Sequence, residues 1–401
     1  MMLNVVSMEE AIRITQTEFS AYEIASEKLD ICNCLGRVLA EDIISNENIP
    51  PFNRSTVDGY AVLSSDTFGA GESIPSMLSL TGEILMGEEA KDTVSSGECI
   101  KISTGGMLPK GADSVVMVEH TEQMIDGTCL LYKAVSPFQN VTKKGDDVKI
   151  GQKVINKGTK ITSKHIGILC ALGITEVECV KKIKVGIISS GDEIVPVEES
   201  VPLGKIRDIN SHFLASLIKE NGYDAKEYGI VRDDFDELYC TLQKATDECD
   251  AVLISGGSSA GAKDMTAAVI DKNGEVFFHG IAVKPGKPTI FGKVKGKAVF
   301  GLPGHPAAAY LITKTVVMNL LRFCSKQENK PLTVSAEITE SISSNHGREE
   351  LVPVILKGSK AHPLFFKSGL VSLLSSADGF VVIPRNREGL FKDEKVTVYL
   401  F

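Results

Sequence analysis

Between Lys184 and Cys324 short apolar runs alternate with longer segments of helical period, and this alternation limits the fold more than any other feature of the chain. Val185 to Ile188, Glu227 to Val231, Ala251 to Ile254 and Ala298 to Leu302 each have the length of one buried strand. Asn210 can cap a helix to Glu220 that Gly222 stops, and a second helix spans about Phe235 to Thr246. A third runs from Asp264 to about Lys272, and a long apolar one starts at Pro306, a favoured first-turn residue, and reaches about Cys324. Repeated strand–helix units predict a mostly parallel sheet with helices on both faces. Ligands in such sheets bind beyond the carboxyl ends of the strands.

The polar signatures sit at those ends: Gly191-Asp192-Glu193, Arg232-Asp233-Asp234, Ser255 to Asp264, and Pro303-Gly304-His305-Pro306. The richest is D-A-V-L-I-S-G-G-S-S-A-G-A-K-D at 250–264, whose loop holds Ser255, Gly256, Gly257, Ser258, Ser259 and Gly261. Backbone N–H groups of a glycine and serine loop can cradle an anion, and a following helix N-terminus adds a favourable dipole. The same letters also describe an ordinary strand-to-helix turn with Asp264 as its N-cap, and this stretch alone supports both readings equally. It is neither a Walker loop nor G-x-G-x-x-G. Glu193, Asp233, Asp234 and Asp264 offer the oxygen ligands that suit magnesium beside substrate phosphates, although each acid alone also reads as a cap or a solvated side chain. Segment 284–297 carries five Lys and no acid, a positive field in an acidic chain. Prolines hold Lys284 and Lys287 rigidly, whereas Lys293, Lys295 and Lys297 read as decoration of a solvated hairpin at Gly296. His305 reads as a turn residue.

Four units are expected along the chain. Residues 1–46 with 140–178 form a discontinuous helical and extended domain, in which the segment capped by Thr162 packs back on the N-terminal helix that Ser7 caps. Residues 47–139 form an inserted β domain with an Asp126-Gly127 hairpin turn, 179–326 the α/β domain, and 327–401 a small C-terminal β domain. Net charge is -9, which excludes a general nucleic-acid footprint. The nine Cys lack C-x-x-C spacing and read as reduced thiols of a cytoplasmic protein. The N-terminus lacks the basic start of a signal peptide, and no apolar run approaches the ~18 residues of a membrane span. No Ser/His/Asp order or Cys/His pair stands out, so nucleophilic and zinc hydrolysis are poorly supported.

P-P-F-N-R-S-T-V-D-G-Y-A-V at 50–62, I-S-T-G-G at 102–106, G-A-D-S-V-V-M-V-E-H-T at 111–121, S-S-G-D-E at 189–193, the 255–264 loop, K-P-G-K-P at 284–288 and G-L-P-G-H-P at 301–306 together resemble the MoeA family of molybdopterin molybdenumtransferases, which includes the E domain of gephyrin. The resemblance spans essentially the whole chain. It implies a three-layer molybdopterin-binding α/β domain and a C-terminal β-barrel-like domain. The implied reaction takes adenylylated molybdopterin and molybdate, inserts the metal into the dithiolene and releases AMP with Mg2+, or Zn2+, assistance. It implies a pterin-phosphate seat at Ser255, Gly256, Gly257, Ser258 and Gly261, metal ligands Glu193, Asp233 and Asp264, and a molybdate pocket of Lys284, Lys287, Arg348 and Ser368, with Pro303 and Pro306 at the substrate. Asp58, Thr104 and Asp147 match active-site motifs from other domains, and a homodimer would bring them to a partner's cleft. Molybdopterin adenylyltransferase and downstream molybdoenzymes are the implied partners. Asn53-Arg54 replaces an Asp-Asn of some members, and Gly280 stands where some carry Lys. Molybdate and tungstate share charge and nearly share size, so molybdenum and tungsten stay equivalent. Two other readings remain: a CinA-like nucleotide pyrophosphate hydrolase, against which the β units at 47–139 and the C-terminus argue, and a non-catalytic scaffold.

Overall fold

A computed structural model describes residues 5–256, 260–327, 331–365 and 371–401, without the side chains of 260–264. Its central sheet has six strands in the order Asp224–Val231, Lys184–Ser190, Ala251–Gly256, Lys297–Leu302, Ile290–Val294 and Gly274–His279. The first four are parallel, and Ile290–Val294 runs against both its neighbours, Gly274–His279 and Lys297–Leu302, the latter joined to it by the tight Lys295-Gly296 hairpin where the earlier connections are helices. Helices Asn210–Glu220, Phe235–Glu248 and Ala260–Lys272 supply the crossovers. Two apolar clusters lie on opposite faces, one around Ile187, Leu253 and Phe300 and the other around Ile188, Val252 and Val299. Successive residues of each strand thus alternate between the faces, as the pleat requires.

The continuous helix Pro306–Cys324, with a π-turn at Thr313–Val317, is long and apolar enough by length and composition to cross a membrane, contrary to the expectation from the sequence. Here it is a core helix. Leu311, Ile312, Val316 and Val317 are fully buried against the sheet, each contributing about 1.5–3 kcal/mol through burial.

The N-terminal helix Met8–Glu18, capped by Ser7 as expected, also joins this core. Ala11 and Phe19 pack among Ile183, Val185 and Phe291, Lys293 pairs with Glu18, and Val6 exchanges backbone hydrogen bonds with Gly280 and Ala282. This corrects the expectation that the 140–178 segment packs on that helix. What pairs instead is Ser26–Asp30 with Glu176–Val180, and Ile43–Ile44 with Lys153–Ile155, over a separate core around Leu39, Ile161 and Leu169. The helix is amphipathic, and its apolar stripe finds the larger apolar surface of the sheet unit.

The inserted β unit is a six-stranded sheet from Ser114–Met117 to Thr121–Gln123, with the Asp126-Gly127 turn between its last two strands. At the other end of the chain, Glu349–Lys357 pairs with both Lys360–Pro363 and Gly379–Ile383, and Lys395–Leu400 with both Thr333–Ile338 and Gly379–Ile383. Thr333–Ile338 pairs in turn with Lys360–Pro363, which closes the sheet into a barrel. One strand of that barrel acquires a neighbour from the α/β unit: Val283–Lys284 runs parallel to it, Val283 opposite Glu349 and Lys284 opposite Glu350. This short ladder brings Lys284 beside Arg348.

Candidate active site

Two cavities open at the carboxyl edge of the sheet, and their linings differ in the sign of their formal charge. The larger, about 580 Å³, lies between the α/β unit and the barrel. Lys284, Lys287 and Arg348 line it with Pro303, His305 and Glu350. Proline on either side of Gly286 stiffens the loop, and Gly286 itself is required there. Its φ is +123°, and a Cβ would stand 2.5 Å from Ile312 Cδ1 in the core helix. Glu350, only 12% exposed, accepts from Lys284 Nζ at 2.5 Å and from Ser344 Oγ at 2.7 Å. The sequence showed Lys284 in a segment without acids; the strand pairing supplies one. Three cations and one carboxylate leave the pocket at a formal charge of two positive units, which suits a dianion.

The smaller cavity, about 320 Å³, is lined by Glu193, Arg207, Asp208, Asn210, Gly256, Gly304, His305 and Pro306 among others. His305 belongs to both linings, so the turn after Lys297–Leu302 separates a net cationic chamber from one that sets two carboxylates, Glu193 and Asp208, against one cation, Arg207. Gly256 ends its strand directly beside Ser190. Glu193 follows the Lys184–Ser190 strand and Asp233 follows its neighbour, Ser190 and Val231 being register partners. Ser190 Oγ donates to Asp233 at 3.1 Å, while Asp234 is the helix cap, accepting from Glu237 N–H at 2.9 Å. The two adjacent acids that the sequence left interchangeable thus divide the roles.

The 255–264 loop is shorter than its glycines suggested. The helix begins at Ala260, so Gly261 lies in its first turn and Asp264 well inside it, which overturns Asp264 as the N-cap. Gly257, Ser258 and Ser368 lie outside the described residues, as does the side chain of Asp264. Asn210 is a second correction. It is the first helical residue, and its side chain does not cap: Nδ2 donates to Ser255 Oγ at 2.7 Å and to the Gly304 carbonyl at 2.9 Å. One buried amide thereby ties three strand-end loops together. Sequence reading also missed Asp208, 5% exposed, which accepts from Ser189 Oγ at 2.9 Å and Ser211 N–H at 3.1 Å. The only signal available was a polar pair before a helix, D-I-N at 208–210.

Asp58, Thr104 and Asp147 line neither cavity. Asp58 and Thr104 do meet each other, Thr104 N–H and Oγ1 both donating to Asp58 Oδ1 at 2.7 and 3.0 Å. Those bonds hold the Asp58 carboxyl below its ordinary range, the backbone donor contributing most. The contact is therefore complete above the ordinary aspartate pKa and is lost as pH falls through the lowered one. Thr104→Val removes the hydroxyl donor and should move the Asp58 titration upward, read by NMR of its carboxyl carbon. Of the family departures, Asn53 Oδ1 accepts from Lys144 N–H at 2.8 Å and so braces the turn that carries Asp147. Gly280 lets the strand around Val6 dock.

A profile of the MoeA N-terminal region (domain I and II) matches residues 6–173, one described as a probable molybdopterin binding domain matches 186–322, and one of the MoeA C-terminal region (domain IV) matches 335–401. A molybdopterin biosynthesis protein of Methanocaldococcus jannaschii is 36% identical, over 99% of this chain and 98% of its own. The chain belongs to the MoeA family. The molybdopterin molybdenumtransferase of Haemophilus influenzae is 33% identical, over 94% of each chain. The crystal structure of a MoeA protein from Pyrococcus horikoshii superposes with a TM-score of 0.87 at 41% identity, covering 99% of both chains. The MoeA fold therefore extends through all the units described above. Among the described residues, no three His, Cys, Asp or Glu side chains converge on a metal position. Glu193 and Asp233 follow adjoining strand ends and offer only oxygen donors, the ligand type that Mg2+ takes beside phosphate oxygens.

Proposed function

We propose that this chain is the molybdenum insertase of molybdenum cofactor biosynthesis, acting on adenylylated molybdopterin and molybdate and releasing AMP. The observation that carries the reading is the pair of adjoining cavities, one with a net positive and one with a net negative lining, that meet at His305. Lys284, Lys287 and Arg348 hold molybdate by charge, with Ser368 as a further donor. The strand-end loop at Ser255, Gly256, Gly257 and Ser258, continuing to Gly261, seats the pterin phosphate. Pro303 and Pro306 fix the turn between the two. Two thiols and molybdate give the dithiolene complex and one water, the oxo group leaving with the thiol protons. Water cleaves the phosphoanhydride, and AMP departs. Glu193, Asp233 and Asp264 would hold Mg2+, or Zn2+, whose chemistry is to neutralise charge on the anhydride oxygens.

The chain acts in the cytoplasm as a homodimer, and Asp58, Thr104 and Asp147 reach the cleft from a second copy. That arrangement accounts for site motifs that line neither cavity. The test is AMP release by the purified chain with Mg2+, molybdate and adenylylated molybdopterin. Glu193→Gln and Asp58→Asn should each lower turnover by roughly 100-fold or more, a loss of the size seen for transition-state electrostatics. Mixing the two inactive variants should restore about a quarter of the sites, since each mixed dimer holds one intact cleft. Absence of AMP release sinks the reading, and absence of complementation sinks the shared cleft. Hydrolysis of ADP-ribose without molybdate dependence would favour the pyrophosphate hydrolase instead.

A further inference from the structure

Asn210 is held where stability alone does not call for an amide. It is 8% exposed and opens helix Asn210–Glu220, which the buried Leu214, Leu217 and Ile218 fix in place. Nδ2 donates to Ser255 Oγ at 2.7 Å and to the Gly304 carbonyl at 2.9 Å. That carbonyl can only accept, so the amide has one orientation, and Oδ1 is closed off without a hydrogen-bond partner. An unpaired buried acceptor is destabilising, and an apolar side chain would avoid it at this position. What the amide secures is the Pro303-Gly304-His305-Pro306 turn. Its two prolines have no N–H, which leaves the turn few backbone donors with which to fix itself. The Gly304 carbonyl takes its donor from the helix instead. Pro303 and His305, on either side of Gly304, line the larger cavity, whereas Asn210 lines only the smaller one. Asn210 therefore reaches the larger chamber through the turn.

We propose that Asn210 is a positioning residue for the oxyanion chamber: by fixing Gly304 against Ser255, it sets where Pro303 and His305 stand in the lining they share with Lys284, Lys287 and Arg348. This deepens the insertase reading and rests on it. Charge draws an oxyanion toward the three cations, but Coulomb attraction varies slowly with distance and places the anion poorly. Charge-assisted hydrogen bonds depend steeply on distance and angle, so the rest of the wall decides how many of them the anion keeps at once. The turn is part of that wall, and its hold on the molecule runs through one side chain that never touches the anion. A shift of about 1 Å caused by a change remote from the chemistry can cost 100-fold. Loss of the Asn210 donor should therefore be felt in a chamber that Asn210 does not line.

The test compares Asn210→Leu with Leu217→Ala in the full-length chain. Leucine removes the donor without adding charge. Leu217→Ala deletes a buried contact of the same helix without touching the turn, so it lowers the thermal midpoint and serves as the control for lost stability. Molybdate is titrated calorimetrically, and hydrogen exchange is read by mass spectrometry on the peptide that holds Gly304 and His305. Asn210→Leu should weaken molybdate by ~10-fold or more and speed exchange of that peptide by about the same factor. Leu217→Ala should leave both within about twofold of the unmodified chain, since neither depends on global stability below the unfolding transition. If the leucine variant does not fold, Asn210→Asp repeats the exchange measurement: it keeps the size, accepts from the Ser255 hydroxyl and still lacks a donor for Gly304. Molybdate affinity unchanged in a folded Asn210→Leu chain, a turn that exchanges no faster in the variant, or an equal loss in Leu217→Ala overturns the proposal and leaves the insertase reading standing. An unmodified chain that binds no molybdate and releases no AMP removes that reading, and the proposal with it.

Discussion

Replacing Gly256 with alanine is expected to cost the fold about 3–5 kcal/mol, the range of the severest single substitutions. An added Cβ would stand 1.9 Å from the Ser190 carbonyl oxygen and 2.7 Å from its carbon. Both are backbone atoms of the adjoining parallel strand, so no side chain can swing aside. Relief requires the Lys184–Ser190 and Ala251–Gly256 strands to part at their carboxyl ends, where the register pairs Ser190 with Gly256. Those residues carry the site: Ser190 bonds Asp233, and Ser255 bonds Asn210. Activity should therefore fall further than the lost stability explains, and AMP release should be nearly abolished even below the unfolding transition. Denaturant unfolding and turnover on the same preparation check both parts. Gly167→Ala is the control. That glycine is exposed inside helix Ser163–Ala171 with nothing within 4 Å of an added Cβ, so alanine should stabilise by about 0.5–1 kcal/mol. A Gly256→Ala chain as stable as the unmodified one would show that the strand ends need no such close approach.

The sheet was legible because its signals are local. Val185, Ala251 and Ala298 open apolar runs of strand length, and the segments between them have helical period. The place of the candidate site was legible in part, because the carboxyl edge of a parallel sheet follows from topology alone. Residues missed or misplaced are those whose role depends on a distant partner. Asn210 has the composition of a helix cap, and only Ser255 and Gly304, at separations of 45 and 94 residues, turn it into a clamp. Asp264 looked like a cap because the glycines before it suggest loop, but the helix starts at Ala260. Gly261 is weakly unfavourable inside a helix, by about 1 kcal/mol, and that is too little to exclude it. The Met8–Glu18 helix shows an apolar stripe without showing which surface covers it. Glu350 escaped notice altogether, since its pairing with Lys284 exists only because Val283–Lys284 joins the barrel as a parallel strand.

That pairing sets the second large effect, on molybdate. Arg348→Ala should raise the KM for molybdate by roughly 10–100-fold, because a charge-assisted hydrogen bond contributes about 1.5–3 kcal/mol. Turnover at saturating molybdate should change much less, since on the proposed reading the arginine holds the oxyanion before and during exchange alike. Glu350→Gln should act in the opposite direction. In the unmodified pocket Glu350 opposes one of three cations, so glutamine raises the formal charge from two to three positive units while keeping an acceptor for Ser344. The KM for molybdate should fall a few-fold and its dependence on ionic strength should steepen, as exposed charges are screened within about 10 Å at ordinary salt. Phosphate and sulfate should become better competitors in the same variant, because added charge without added shape rewards any dianion. Glu350 then acts as a brake: it keeps Lys284 partly neutralised, and an entering oxyanion must offer more than charge to displace it. A Glu350→Gln chain with unchanged KM and salt dependence would place molybdate outside the Lys284, Lys287 and Arg348 chamber, and the two cavities would have to exchange roles.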